Sequence, residues 1–107
     1  MTSYAIAHLR EVEFGAGIVE YLRRIDATLE PFGGRFFVHG AQPEVVEGPF
    51  PGHLVVIGFP DRQRARAWYD SPAYRDILPL RTANSDGVAV IVDGVGPGHR
   101  ATDLLAG

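Results

Sequence analysis

At 107 residues, with 46% hydrophobic and 21% charged side chains, the chain is sized for one domain around a single core and is too apolar to remain disordered. A formal charge of -3, from 13 acidic and 10 basic residues, argues against a nucleic-acid partner, because phosphate backbones are held by clustered cations. The absence of cysteine removes disulfides, thiolate metal sites and cysteine nucleophiles together, and no apolar run approaches the roughly 18 to 20 residues of a membrane span.

No basic-then-apolar leader opens the chain, so a cytoplasmic protein with no membrane contact is expected. Ser3 to Leu9 alternates, with Tyr4, Ile6 and His8 on one side and Ala5, Ala7 and Leu9 on the other, which is the period of a strand. From Phe14 to Phe32 the period lengthens: Phe14, Ile18, Tyr21, Leu22, Ile25, Leu29 and Phe32 recur at helical spacing. Gly33-Gly34 stops that helix. Arg35 to His39 reads as a second strand in which Arg35, Phe37 and His39 share a face, extended or followed by Glu44 to Glu47.

Gly48-Pro49-Phe50-Pro51-Gly52 makes a turn into Leu54 to Phe59, a short β-branched run that reads as a buried strand. Asp61 offers a cap to a helix carrying Ala65, Trp68 and Tyr69 on one face. Ser71-Pro72 repeats the signal, so a second helical piece begins there, and Pro79 ends or kinks it. After an Asn84 to Gly87 turn, Val88 to Val92 is the last strand. Residues 1–94 therefore form one domain, and 95–107, with no sustained period, a flexible tail.

The order strand, helix, strand, strand, helix, strand predicts an α+β, ferredoxin-like antiparallel sheet with its helices on one face. The other face, carrying Tyr4, Phe37 and several valines, is left bare, and a second copy is expected to cover it. In order and spacing, PFGGRFFVHG (31–40), EVVEG (44–48), VVIGFPD (55–61), WYDSPAYRDILPLR (68–81) and VIVDG (90–94) resemble the small bacterial family named domain of unknown function 1330. The resemblance spans Tyr4 to Gly94 and implies a homodimeric α/β barrel, two sheets face to face around a chamber. Its wider superfamily includes cofactor-independent monooxygenases, haem-degrading enzymes, lactone isomerases, polyketide cyclases and ligand-sensing domains. Family members often carry Glu where this chain has Gly58 and Ala73, so chemistry resting on either carboxylate is not expected here.

The candidate chemistry is the polar set expected to line that chamber. His39 and His8 are the candidate acid–base groups, and Arg35 the clamp for a carboxylate, enolate or phenolate. Tyr4, Trp68, Tyr74 and Arg81 are candidate substrate-binding residues, although Trp68 and Tyr74 at helical spacing equally suit core packing and Arg81 suits a helix-terminal cation. The reading is a small-molecule-binding barrel, performing proton transfer, cyclisation or oxygenation without a cofactor; the competing reading is a binding or structural dimer with no turnover. His8, His39, His53 and His99 form no HxH or HxxxH pair, so no metal is expected. Arg62, Arg64 and Arg66 read as a solvated helix face near Asp61 and Asp70. No G-x-S-x-G elbow or P-loop is present. Adjacent Phe36 and Phe37 cannot both serve as an RNA-stacking platform.

Overall fold

The structure is a computed structural model that describes residues 1–106. A four-stranded antiparallel sheet is built from β1 (Ser3–Val12), β2 (Arg35–Val38), β3 (His53–Phe59) and β4 (Ser85–Asp93) in the order β2-β3-β1-β4. Three helices lie on one side: α1 (Ala16–Leu29), α2 (Arg62–Asp70) and α3 (Pro72–Thr82). The ferredoxin-like α+β fold expected from the element order is the one found. With overall dimensions of 48 × 36 × 19 Å, the thin direction is one helix layer on one sheet. No helix among the described residues is long and apolar enough to cross a membrane.

The caps read from the sequence are made. Arg64 N–H donates to Asp61 Oδ1 (2.8 Å) and Tyr74 N–H to Ser71 Oγ (3.2 Å). Gly33 takes a positive φ of 69° where a single 3-10 turn, Glu30–Phe32, finishes α1. Strand alternation then divides the sheet. Ser3, Ala5, Ala7 and Leu9 of β1 sit beside Phe59, Ile57, Val55 and His53 of β3, under the helices. Tyr4, Ile6 and His8 sit beside Gly58, Val56 and Leu54 on the bare face, and beside Val92, Val90 and Val88 of β4. The core is therefore one layer, with Ile18, Tyr21, Ile25 and Leu29 of α1 and Trp68, Tyr74, Ile77 and Leu78 of α2 and α3 packed on Ile57 and Phe59.

Four boundaries differ from expectation. The segment 44–47 forms no strand, and β4 begins at Ser85, within the expected turn. Pro79 stands inside α3 rather than ending it, since its carbonyl still accepts from Ala83 N–H (2.9 Å). A proline removes a donor and not an acceptor, so the helix continues beyond it. In the expected tail, Ala101–Leu105 forms a 3-10 turn closed by Arg100 N–H donating to Asp103 Oδ2; Gly107 lies outside the described residues.

A fifth difference decides the site. Arg35 pairs with Gly58 and Phe36 with Ile57, but Val38, not Phe37, pairs with Val56. This bulge adds one residue to β2, and an added residue reverses the face of all that follows. His39 therefore stacks on Phe36 (ring centroids 4.3 Å) on the helix side. Arg35 lies over Phe37 (4.2 Å to the ring centroid) on the bare side, and a side chain at Gly58 would collide with Phe37.

At the other end of the same sheet, Gly52 has φ +91°, and a Cβ there would overlap the carbonyl oxygen of Leu9 and the Cα of Arg10. Both the dihedral and the close approach demand glycine. Gly52→Ala is expected to lower stability by about 2–3 kcal/mol. A urea midpoint equal to that of the parent protein would refute this account of the turn.

Candidate functional site

Bulky residues on the helices face small ones on the sheet. Ala5 and Ala7 of β1 and Ala89 of β4 point under α1, α2 and α3, where longer side chains would have met Tyr21, Trp68 and Tyr74. The gap this leaves is a cavity of about 500 Å³ between sheet and helices, open at one side, in the size range of small-ligand sites. It lies wholly within one chain, in contrast to the expected chamber between two bare sheets.

Its deepest polar feature is a pair of phenols. Tyr21 and Tyr74 are buried, their hydroxyl oxygens 2.7 Å apart and their rings edge to face at 6.2 Å. The half-buried Arg81 faces both hydroxyls and has no carboxylate partner among the described residues. Burial, reinforced by the neighbouring Tyr74 hydroxyl, pushes the Tyr21 phenol far above its ordinary value of 10.0. It is a neutral hydrogen-bonding group at physiological pH. Burial works to lower the Arg81 pKa, but the Tyr74 and Tyr21 oxygens outweigh it and the net direction is up. A permanent cation thus stands beside the neutral Tyr21 phenol and its Tyr74 partner in a largely apolar enclosure.

Trp68 forms the adjoining wall. Its ring packs on Tyr74 (4.1 Å between centroids) and Phe59 (5.4 Å), and its Nε1–H donates to Thr28 Oγ1 at 3.0 Å. His39 lies exposed at the rim with Arg62 and Arg66 of α2, which are one helical turn apart. No aspartate or glutamate lines the cavity, and three arginines do. Among the described residues no group of three His, Asp or Glu is placed to hold a metal ion.

Residues 2–95 match the family described as domain of unknown function (DUF1330). The chain belongs to this family. DUF1330 membership agrees with solved structures of the same fold. The methylated RPA0582 protein, from Rhodopseudomonas palustris, is 18% identical with a TM-score of 0.72, covering 92% of this chain and 84% of that one. A dimeric ferredoxin-like protein from Jannaschia sp. CCS1 is 12% identical with a TM-score of 0.59, covering 88% and 100%. SnoaB, a cofactor-independent oxygenase from Streptomyces nogalater, is 13% identical with a TM-score of 0.56, covering 92% and 96%. At these identities the likeness is one of fold. No curated protein matches the sequence.

Of the seven residues singled out from the sequence, the fold brings His39, Trp68, Tyr74 and Arg81 to the cavity. The other three are elsewhere. Arg35 and Tyr4 gather around Phe37 on the bare face, where Tyr4 meets Phe37 edge-on at 5.6 Å. A mechanism pairing Arg35 with His39 is therefore withdrawn, because the β2 bulge sets them on opposite sides of the sheet. His8 is occupied structurally: its ring stacks on Phe50 (4.2 Å) and its Nε2 is 2.7 Å from the Pro51 carbonyl, pinning the loop before β3.

Sequence reasoning took Tyr21 for core and missed its role. The argument applied to Tyr74, that a buried hydroxyl must find a partner, applies equally to Tyr21 and leads from one to the other. Arg62, Arg64 and Arg66 form the solvated helix face expected of them, with Arg64 on Asp61 and Arg66 on Asp70, and Arg62 and Arg66, at i, i+4 spacing, also border the cavity.

Because the folded Tyr21 keeps its proton above the pH at which the unfolded one loses it, its contribution to stability is intact below about pH 10 and is lost as pH rises further. Alkaline unfolding is expected to steepen above pH 10. Tyr21→Phe should flatten that slope while costing about 1 kcal/mol at neutral pH for the lost hydroxyl pair. Identical pH–stability curves for the two proteins would contradict the assignment.

Proposed function

We propose that the chain is a homodimer in which each protomer binds a small, mostly apolar organic molecule bearing an acidic oxygen, and performs cofactor-independent proton transfer or oxygenation on it. The observation that carries this reading is Arg81 beside the Tyr21–Tyr74 phenol pair, without a carboxylate partner among the described residues, inside a cavity walled mostly by apolar and aromatic groups. Such a cation is charged, half-buried and, among the described residues, unpaired. An enolate, phenolate or carboxylate oxygen supplies the missing charge, and the guanidinium N–H groups, with the one phenolic O–H that the Tyr21–Tyr74 bond leaves free, are the donors to hold it.

The chemistry follows from where charge develops. Removing a proton next to a carbonyl or from a phenol places negative charge on oxygen, and donors already in position stabilise that charge without reorganising. Arg81 takes the anion-holding role first sought in Arg35. Trp68 and Tyr74, packed on each other, form a rigid aromatic wall beside a planar substrate, and His39 at the rim is the proton acceptor. An electron-rich enolate or phenolate so held is also the form of an organic substrate that can react with dioxygen unaided. SnoaB, of like fold, is named as a cofactor-independent oxygenase, which favours this class of reaction over hydrolysis or phosphoryl transfer.

Dimerisation rests on the bare face. Phe37, Val88, Val90 and Val92 are exposed there, with Tyr4 and Ile6 half-buried among them. Contiguous apolar surface of this kind suits an isologous contact between two copies, and a neighbour of like fold is described as dimeric. Sedimentation should give a dimer at micromolar concentration, and Val90→Asp, at the centre of the patch, should give a folded monomer. A parent protein that sediments as a monomer removes the proposal.

Trp68 is the only tryptophan, so its emission reports on the cavity directly. Cinnamate, a planar acid, should quench it saturably. Arg81→Gln should weaken that affinity by about tenfold, the value of one charge-assisted hydrogen bond, and Ala7→Leu should abolish binding by filling the floor. Deuterium exchange at the α-carbon of 2-tetralone, followed by NMR, tests turnover; His39→Ala should stop it and leave cinnamate quenching unchanged. Binding without exchange or oxygen uptake would favour the non-catalytic module, and absence of saturable quenching would remove the cavity from consideration.

A further inference from the structure

The cavity has two cationic poles, and they lie toward opposite ends of the sheet. Arg81 belongs to the end where β4 begins: its carbonyl accepts from Ser85 Oγ at 2.6 Å. Arg62 belongs to the end where β4 finishes: its Nη1 is 3.5 Å from Asp93 Oδ2, while Ser3 Oγ donates to the other oxygen of Asp93. Arg62 and Arg81 line the same cavity, so a cation stands toward each of its ends. Arg66 stands one turn after Arg62 and reinforces the second pole.

The mouth arginines are held, but loosely. Arg62 meets Asp93, and Arg66 Nε meets Asp70 Oδ2 at 2.9 Å, both as exposed pairs of the kind that contribute little. Each guanidinium has five N–H donors, so a single carboxylate contact leaves most of them free for a ligand. Neither aspartate lines the cavity. The chain carries more acidic than basic residues, 13 against 10, yet the charged lining is wholly arginine.

We infer that the ligand is an elongated acid with an anionic group at each end, one oxygen held by Arg81 with the tyrosine pair and a second acidic group held by Arg62 and Arg66 at the mouth. This rests on the binding reading above and narrows its substrate class: an apolar, planar body between two acidic termini. A compact monoacid fills one pole and leaves the other to water. Because the mouth pole is exposed and the inner pole is enclosed, the second charge is the salt-sensitive one.

Calorimetric titration of the full chain with naphthalene-2-carboxylate and naphthalene-2,6-dicarboxylate, and with the mono- and 4,4'-dicarboxylates of biphenyl, tests the inference. In at least one pair the diacid should bind about tenfold more tightly than the monoacid at low salt, with the advantage shrinking as salt is raised. The double variant Arg62→Gln, Arg66→Gln should erase the diacid's advantage over the monoacid. Arg81→Gln should weaken both. Equal affinities within both pairs on the parent protein, or a diacid advantage that survives the double variant, would overturn the two-pole inference while leaving the cavity reading intact. Failure of every acid to bind would overturn both, and the comparison on the parent protein stands even if a variant fails to fold.

Discussion

Trp68 is constrained from two directions, and the rest of the cavity depends on that. Its indole N–H donates to Thr28 Oγ1, which in turn donates to the Ile25 carbonyl (2.6 Å), so a side chain of α2 is tied into the backbone of α1 through two buried hydrogen bonds. Its ring rests on Phe59 of β3 and Tyr74 of α3. A buried indole without an acceptor would cost about 1–3 kcal/mol, so the ring cannot tip toward the sheet to fill space without giving up that bond. The helices are held off the sheet at the point where its residues are smallest. Alanines at 5, 7 and 89 could not close the gap, and the enclosed volume persists because the aromatic layer above it is propped rather than collapsed.

From this follows the character of the inner pole. Tyr74 shares its ring face with Trp68 and its hydroxyl with Tyr21, so the residue that braces the wall also fixes the phenol pair. Tyr21 comes from α1 and Tyr74 and Arg81 from α3. Those helices pack side by side, with Arg24 of one forming an ion pair to Asp76 of the other on the outside of the contact. The inside of the same contact carries the hydroxyls and the guanidinium. An arrangement spread over two helices and tied to the core offers donors whose positions do not depend on a loop.

How much of this could be read from residues alone depends on what kind of information each feature needs. Period-two alternation, the Asp61 and Ser71 caps and the Gly33 stop are local, and each produced the predicted element. The bulge at Phe37–Val38 is not local in the same sense. It contains no glycine or turn residue, and beside it the Phe37 ring fills the space left by Gly58 on the neighbouring strand. Strict alternation therefore placed His39 with Arg35, one residue out of phase with the fold. Volume was equally illegible. Ala5 and Ala7 are small and apolar, but whether small residues produce tight packing or a cavity depends on what stands opposite, which is set by the pairing of helices to sheet. The exposed face of β4, by contrast, was legible, since Val88, Val90 and Val92 alternate in plain sight.

The same bulge resolves why one side of this sheet suits chemistry and the other suits association. Had β2 run straight, His39 would lie with Arg35 on the bare face, and the cavity would have no imidazole at its rim. The single inserted residue moves His39 across the sheet and leaves Arg35 stacked on Phe37 among exposed valines. A bare face that retains one arginine, already stacked on an aromatic ring, remains predominantly apolar, which is the composition of a protein contact and not of an anion site. The helix side gathers Arg62, Arg66, Arg81 and His39 around an apolar floor, with no carboxylate facing in. Charge and greasiness are therefore segregated to opposite faces of a four-stranded sheet. A second copy can seal one face without obstructing the other, so assembly and ligand entry need not compete.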